Sequence, residues 1–166
     1  MILGMSLANF TMLHVAISLV GIGSGFVVLA GLILRRRLDV WTNLFLATTI
    51  ATSVTGFFFP FERLLPSHIL GLLSLAVLGL AVLARSARHL RGPWLRVFAI
   101  SSCVALYLNV FVLIAQAFGK VPALKAMAPT QSEPPFVLAE GALLLIFGVF
   151  GVIAAKKASS KMALTA

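Results

Sequence analysis

Three ionisable side chains of this 166-residue chain lie in or at the edge of long apolar stretches: His14, His68 and Glu140. Imidazole and carboxylate groups bind protons and metal ions, and placing such a group inside a membrane helix costs at least about 2.5 kcal/mol. That cost makes each of them a candidate for function. Three further polar residues are predicted near the same end of the molecule, Gln116, Glu62 and Arg63. Asn109 completes the candidate site, as a residue that could continue a path toward the inner half of the membrane.

These residue types permit three kinds of function. A carboxylate and an imidazole within a membrane are typical of proteins that transport or bind a proton, an ion or a small solute. Alternatively, His14 and His68 could hold one haem b, or a divalent metal together with Glu140, and quinone binding is a further redox hypothesis. The third hypothesis is an accessory or assembly subunit without chemistry of its own. An enzyme is disfavoured, because the sequence has no nucleophile elbow, HExxH motif or paired carboxylates.

The composition predicts a membrane protein. Hydrophobic residues make up 61% of the chain, and the 13 Lys and Arg with the 4 Asp and Glu make up only 10%. A soluble domain is roughly half apolar and about a quarter charged, so this chain has too few polar side chains to cover a water-facing surface. The net charge of +9 is better explained by basic residues that set membrane topology than by nucleic-acid binding. With one cysteine, Cys103, no disulfide can form within the chain.

The apolar runs are long enough to form membrane helices, each of which needs about 20 residues. We expect an all-α, polytopic membrane helix bundle that forms a single transmembrane domain over residues 1–166. Every proline falls between the predicted spans, where its missing N–H costs least. The five predicted spans are residues 10–34, 42–59, 67–84, 95–118 and 136–155.

The distribution of basic residues predicts the orientation of the bundle. One side holds ten of them: Arg35, Arg36, Arg37, Arg85, Arg88, Arg91, Arg96, Lys156, Lys157 and Lys161. The other side holds three: Arg63, Lys120 and Lys125. The positive-inside rule therefore places the N-terminus outside and the C-terminus in the cytoplasm. Aromatic belts are predicted at both surfaces, with Trp41 and Trp94 inside and Phe57, Phe58, Phe59 and Phe61 outside.

Helical periodicity places the candidate residues on faces that turn inward. One such face on the first span carries His14, Ser18, Gly21 and Gly25. Gly21 and Gly25 form a GxxxG pair, which permits close approach of a neighbouring helix. Similar stripes on the second and fourth spans are Thr48, Thr52 and Thr55, and Ser102, Asn109 and Gln116. We therefore expect a small polar pocket open toward the outside, which the proline-rich loop at residues 119–135 could cap.

Two stretches carry a resemblance to known proteins. Residues 44–71 contain Thr55-Gly56-Phe57-Phe58-Phe59-Pro60-Phe61 and Pro66-Ser67-His68, and residues 107–136 contain Asn109-Val110-Phe111, Gln116-Ala117-Phe118, Lys120-Val121-Pro122 and a run from Pro129 to Phe136. With these motifs the chain resembles a group of small multi-pass bacterial membrane proteins without an assigned function. The resemblance implies a location in the bacterial inner (cytoplasmic) membrane and no catalytic residues.

Lipids are the first partners that we expect, and the basic loop at residues 85–96 could bind anionic lipid head groups. Further copies of the chain, as a homo-oligomer, or a partner membrane subunit are the other expected partners. Small residues on helix faces, such as the Gly21 and Gly25 pair, would serve such contacts.

Overall fold

The computed structural model describes the backbone of residues 2–60 and 66–163, and the side chains of residues 2–60 and 68–158. Over this part of the chain the regular structure is helical, as the composition predicts. The helices are α1 (Leu7–Ile33), α2 (Asp39–Gly56), α3 (Pro66–Val82), α4 (Trp94–Lys120), α5 (Pro122–Met127) and α6 (Pro134–Ala163), and a short π-helix (Leu83–Ala87) continues α3.

Four helical segments within the described residues are long and apolar enough to cross a membrane. They are Leu7–Ile33, His68–Ala87, Trp94–Lys120 and Pro134–Ala158. Each coincides with a predicted span to within a few residues. The helix found at the remaining predicted span, α2, has 18 residues and carries an aspartate, an asparagine and five threonines. By length and composition, these four helices are compatible with a small integral membrane protein. Helix α2 is not among the four.

Helices α1 to α4 pack as a ring, since α1 contacts α2, α2 contacts α3, α3 contacts α4, and α4 returns to α1. Helix α6 packs on the ring against α4 and, less extensively, against α1. The five long helices alternate in direction. We call the end that contains His14, His68 and Lys120 the histidine end. The opposite end, which contains Arg85, Lys157 and the arginines at residues 35–37, is the arginine end.

A glycine on α1 lets this helix come close to two neighbours. A Cβ added to Gly25 would lie 2.6 Å from Leu106 Cδ1 on α4 and 2.9 Å from the ring of Phe45 on α2. Leu106 and Phe45 are 1% and 0% exposed, so neither side chain has space into which to move. The close approach predicted from the GxxxG pair is therefore confirmed, and it occurs inside the bundle rather than on a surface for partners.

Candidate functional site

A cavity of about 380 Å³ lies at the histidine end among α1, α2, α3 and α4. Its volume falls within the roughly 300–1,000 Å³ that small-molecule sites occupy. Four of the seven residues predicted for the site line it: His14, His68, Asn109 and Gln116. Its walls also include hydroxyl groups from Thr11, Thr52, Ser53 and Ser74, the rings of Phe57 and Phe59, and the side chain of Lys120.

His14 is held by a threonine of the neighbouring helix. Its Nδ1 lies 2.8 Å from Thr55 Oγ1, while the Thr55 hydroxyl donates its proton to the Ala51 carbonyl at 2.7 Å. Because a hydroxyl has one proton, Thr55 accepts the bond from His14, and Nδ1 carries the hydrogen. In the neutral ring, Nε2 then has the lone pair that can accept a hydrogen bond or ligate a metal. The Phe59 ring packs edge-on against the imidazole, with 5.1 Å between centroids.

His68 is buried near the start of α3, beside an aromatic ring. The centroids of the His68 and Phe57 rings are 5.7 Å apart. Phe57 also packs against Gly71, where a Cβ would lie 3.0 Å from the ring. Phe57 and Phe59 thus line the cavity, and the predicted outer belt is wrong for both of them. The chain leaves α2 in a turn at this point, so helical periodicity no longer decides which way the rings face.

Asn109 lies about three turns inside the bundle from the C-terminal end of α4. Ser18 Oγ donates a hydrogen bond to Asn109 Oδ1 at 3.0 Å, which leaves the amide nitrogen for another partner. Asn109 is 8% exposed, and its Nδ2 has no hydrogen-bond partner among the described residues. Thr52 Oγ1 is a second buried polar atom of the cavity without one there. Buried polar groups are nearly always hydrogen-bonded, so each of these two atoms has a hydrogen bond left to make.

Two exposed side chains on the last turns of α4 add polar groups to the cavity. Gln116 and Lys120 are one turn apart and share a helix face with Asn109. The titratable groups among the described lining residues are Lys120, His14 and His68, and none of these lining residues is Asp or Glu. The described lining residues therefore carry a net positive charge, which favours anions and hydrogen-bond acceptors over cations.

Glu140 does not line this cavity. It lies on α6, which packs against α4 and α1, and it is 9% exposed. Neither carboxylate oxygen has a hydrogen-bond partner in the described part of the chain. Within residues 2–60 and 66–163, no three His, Cys, Asp or Glu side chains are grouped closely enough to hold a metal ion. The predicted cluster of His14, His68 and Glu140 is therefore not formed, although the two histidines do share a cavity.

The predicted mouth of the site is only partly described. Glu62 and Arg63, with Phe61 of the predicted belt, lie outside the described residues. From the loop at residues 119–135, Lys120 alone is a lining residue. The rest of the loop contains α5, which was not predicted, and then returns to α4, where Gln131 Nε2 donates to the Ala115 carbonyl at 2.6 Å. The loop thus packs beside α4 and does not cap the cavity as predicted.

A carboxylate organises the turn that leads into α6. Glu133 accepts hydrogen bonds from the Thr130 amide at 3.1 Å, the Thr130 hydroxyl at 2.9 Å and the Ser132 amide at 3.1 Å. Desolvation raises the pKa of Glu133, but the hydrogen bonds together outweigh it, so the pKa is lowered from its ordinary value. The negative charge is thus stabilised at the start of α6, where the helix dipole also favours it.

Sequence reasoning missed several residues of the cavity. Ser53 on α2 and Ser74 on α3 line it, and their hydroxyls share a hydrogen bond of 3.1 Å that ties the two helices together. Lys120 was counted with the basic residues that set topology. Its spacing from Asn109, eleven residues or about three turns, is the signal that would have included it in the site.

Comparisons with models of known protein families, with curated proteins and with solved structures find no match to this chain. The likeness to small bacterial membrane proteins therefore stays an expectation that depends on the motifs around Thr55 and Asn109. The residues of the cavity, rather than a relative, must support any functional proposal.

Proposed function

We propose that this protein is a five-span protein of the bacterial inner membrane that binds a small, anionic or neutral solute in the cavity among α1 to α4. The observation that carries the proposal is Asn109, a residue that lines the cavity and whose buried amide nitrogen has no partner in the described part of the chain. An N–H group of this kind is stabilised by an acceptor, such as the oxygen of a carboxylate, an amide or a carbonyl group.

The charges around the cavity favour the same class of solute. Lys120 is positive, and His14 and His68 each add a positive charge when protonated, whereas the described lining residues include no Asp or Glu. A cation would therefore be repelled, while a carboxylate would gain electrostatic attraction in surroundings of low dielectric constant. The rings of Phe57 and Phe59 provide an apolar wall for the rest of a small organic molecule.

The packing beneath the cavity favours a binding site over an open pore. One turn beyond Gly21 on α1, Gly25 is in contact with Leu106 and Phe45, which are both fully buried. This apolar layer separates the cavity from the arginine end. In this conformation a solute would enter and leave at the histidine end, and transport would require the layer to open.

The packing of α2 supports counting it as the fifth span. Several of its hydroxyl groups are hydrogen-bonded, since Thr48 donates to the Leu44 carbonyl at 2.6 Å, Thr55 donates to the Ala51 carbonyl at 2.7 Å and Ser53 donates to Ser74 of α3 at 3.1 Å. Polar groups satisfied in this way can lie in a membrane without water. With five spans, the positive-inside rule supports a cytoplasmic arginine end and a cavity near the outer surface.

Solute binding to the purified protein in neutral detergent tests this proposal. The probes are a monocarboxylate, a dicarboxylate, a neutral amide and an organic ammonium ion, and the readouts are thermal stabilisation and calorimetric titration. We expect a carboxylate or the amide to bind and the ammonium ion not to bind. Asn109→Leu should weaken binding of both classes, because it removes the buried donor.

Two lysine variants distinguish solute binding in the cavity from electrostatic attraction to the rest of the protein surface. Lys120→Gln should weaken the binding of a carboxylate about fivefold, because one partly exposed charge contributes roughly 1 kcal/mol to binding. Lys125→Gln removes the same charge from α5, which does not line the cavity, and should change the affinity little. Equal losses in the two variants, or binding of the ammonium ion alone, would contradict the proposal.

The two histidines favour one second candidate, a haem b held between them. Both imidazoles line the same cavity. The hydrogen bond from His14 Nδ1 to Thr55 would leave Nε2 for the iron, and a metal-ligating histidine usually donates its other ring N–H to an acceptor. The test is the visible spectrum of protein purified from haem-replete cells. A Soret band that His14→Ala and His68→Ala each abolish would support haem, and a spectrum without the band would contradict it.

A further inference from the structure

A narrow cleft of about 50 Å³ at the arginine end gathers basic side chains from three parts of the chain. The arginines at residues 35–37 come from the turn after α1, Arg85 from the π-helix after α3, and Lys157 from the last turns of α6. One carboxylate, Asp39, is among the described lining residues. Five cations and one anion give the cleft a formal charge of +4.

The carboxylate of the cleft already has a partner. Asp39 Oδ1 lies 3.1 Å from Arg85 Nη2. The same guanidinium donates to Asn43 Oδ1 at 3.0 Å, so Arg85 is held against α2. Arg36 and Arg37 are among the other cations that line the cleft, and Asp39 is not paired with them. Because these like charges share one cleft, an anion placed among them would relieve their repulsion.

The turn after α1 brings its arginines to the cleft. The amides of Arg35 and Arg36 donate to the carbonyls of Leu32 and Gly31, at 3.3 and 2.8 Å. With Arg35 at a φ of +58°, these bonds form a Schellman motif, which ends the helix and reverses the chain at once. Basic residues that only set topology need to lie on one side of the membrane. The convergence of three chain segments on one cleft goes beyond that requirement.

Below its basic rim the cleft is apolar. Val28, Leu32, Leu95 and Phe98 are among its lining residues. Val28 and Phe98 are buried by the protein itself, whereas Leu32 and Leu95 are half-buried. A free phosphate ion would use the rim and leave the exposed parts of Leu32 and Leu95 uncovered, whereas the acyl chains of a phospholipid would cover them. A tryptophan lies at the same end of the bundle, where the Arg88 guanidinium is 5.0 Å from the centre of the Trp94 ring. Tryptophan is a residue that is enriched at membrane surfaces.

We infer that this cleft binds the head-group phosphate of an anionic phospholipid, with the acyl chains against its apolar floor. The phosphate oxygens accept hydrogen bonds from the guanidinium groups of Arg36 and Arg37, which suit bidentate binding of phosphate. A lipid bound in this way connects the ends of α1 and α6 to α2 and the π-helix. It would act as a structural partner of the bundle, independently of any solute at the histidine end.

Lipid titration of the full chain in a neutral detergent tests the inference. The probes are phosphatidylglycerol, phosphatidylcholine and inorganic phosphate, and native mass spectrometry counts the bound molecules. Arg36→Gln with Arg37→Gln removes two charges that line the cleft. Arg88→Gln with Arg91→Gln removes two charges from the same end that do not line it. Far-ultraviolet circular dichroism verifies that both variants fold.

We expect phosphatidylglycerol to bind more tightly than phosphatidylcholine, and the cleft variant to bind it roughly 30-fold more weakly than the unmodified chain. The control variant should stay within about threefold of the unmodified chain. Equal losses of affinity in both variants would show that the whole basic surface attracts lipid, and would contradict specific binding in the cleft. Phosphate that displaces the lipid mole for mole would overturn the choice of a lipid. If the double variant does not fold, Arg37→Gln alone should weaken binding about fivefold.

Discussion

Gly25→Ala is expected to destabilise the bundle, whereas Gly23→Ala, two residues away on α1, is not. A Cβ on Gly25 would lie 2.6 Å from Leu106 Cδ1 and 2.9 Å from two atoms of the Phe45 ring. A Cβ on Gly23 would meet nothing within 4 Å. The two substitutions add the same methyl group to the same helix, so they differ in what that group touches.

The size of the effect follows from the packing. Non-bonded carbon atoms prefer a separation of about 3.5–4.0 Å, so Leu106 or α1 would have to move by about 1 Å. Leu106 and Phe45 are 1% and 0% exposed and belong to the main hydrophobic core, where such movement disturbs further side chains. Overpacking of this kind costs about 1–3 kcal/mol. The gain in helix propensity from Gly to Ala, roughly 1 kcal/mol, is common to both variants and cancels in their comparison.

Reversible unfolding in mixed micelles measures the difference. We expect the free energy of unfolding of Gly25→Ala to be about 1–3 kcal/mol below that of Gly23→Ala. Restoring space with Leu106→Ala in the Gly25→Ala background should cost less than Leu106→Ala costs alone, since the new methyl then fills part of the cavity. If the two glycine variants unfold with the same free energy, α1 does not pack on α2 and α4 as described, and the floor of the cavity is misplaced.

Three further predictions test other parts of the molecule. Glu140→Met should raise the free energy of unfolding by about 1–3 kcal/mol, because it removes a buried carboxylate without a partner among the described residues, and a loss of stability in mixed micelles would contradict this. A carboxyl group whose pKa is lowered on folding stabilises the folded state above its unfolded pKa, and this stabilisation is lost as the pH falls through the folded pKa. Hydrogen exchange of the Thr130 and Ser132 amides should therefore be faster in Glu133→Gln than in the unmodified chain at neutral pH, and equal at low pH. A reporter fused to the C-terminus should read cytoplasmic, and an external reading would contradict the five-span proposal.

The sequence was most informative about faces within a helix. The spacing of His14, Ser18, Gly21 and Gly25 predicted a single inward face, and all four contact α2 or α4: His14 bonds Thr55, Ser18 bonds Asn109, and the glycines are closely approached. This succeeded because helical geometry is local and needs only the chain itself. The same reasoning placed Asn109 and Gln116 on one face of α4, and both line the cavity.

The sequence was least informative about which inward faces meet. Glu140 lies on a buried face of α6, yet that helix packs outside the ring of α1 to α4, away from the two histidines. Periodicity shows that a residue faces another helix but not which one, because short loops and similar apolar surfaces permit several arrangements. The direction of Phe57 and Phe59 was unpredictable for a related reason, since they follow the last turn of α2.

The depth of the cavity is limited where the side chains packed against α1 change from polar to apolar, within one turn of this helix. The side-chain atoms nearest to a Cβ on Gly21 would be the hydroxyls of Thr49 and Thr48 and the amide of Asn109, at 3.1–3.3 Å. Four residues later the neighbours of Gly25 are Leu106 and Phe45, so polar surroundings become apolar within about 6 Å along the helix axis. Gly21 is the fifteenth of the 27 residues of α1, so this boundary lies near the middle of the helix. A solute that reached Asn109 would therefore lie about halfway along α1. To be transported, it would have to pass the layer in which Gly25 contacts Leu106 and Phe45.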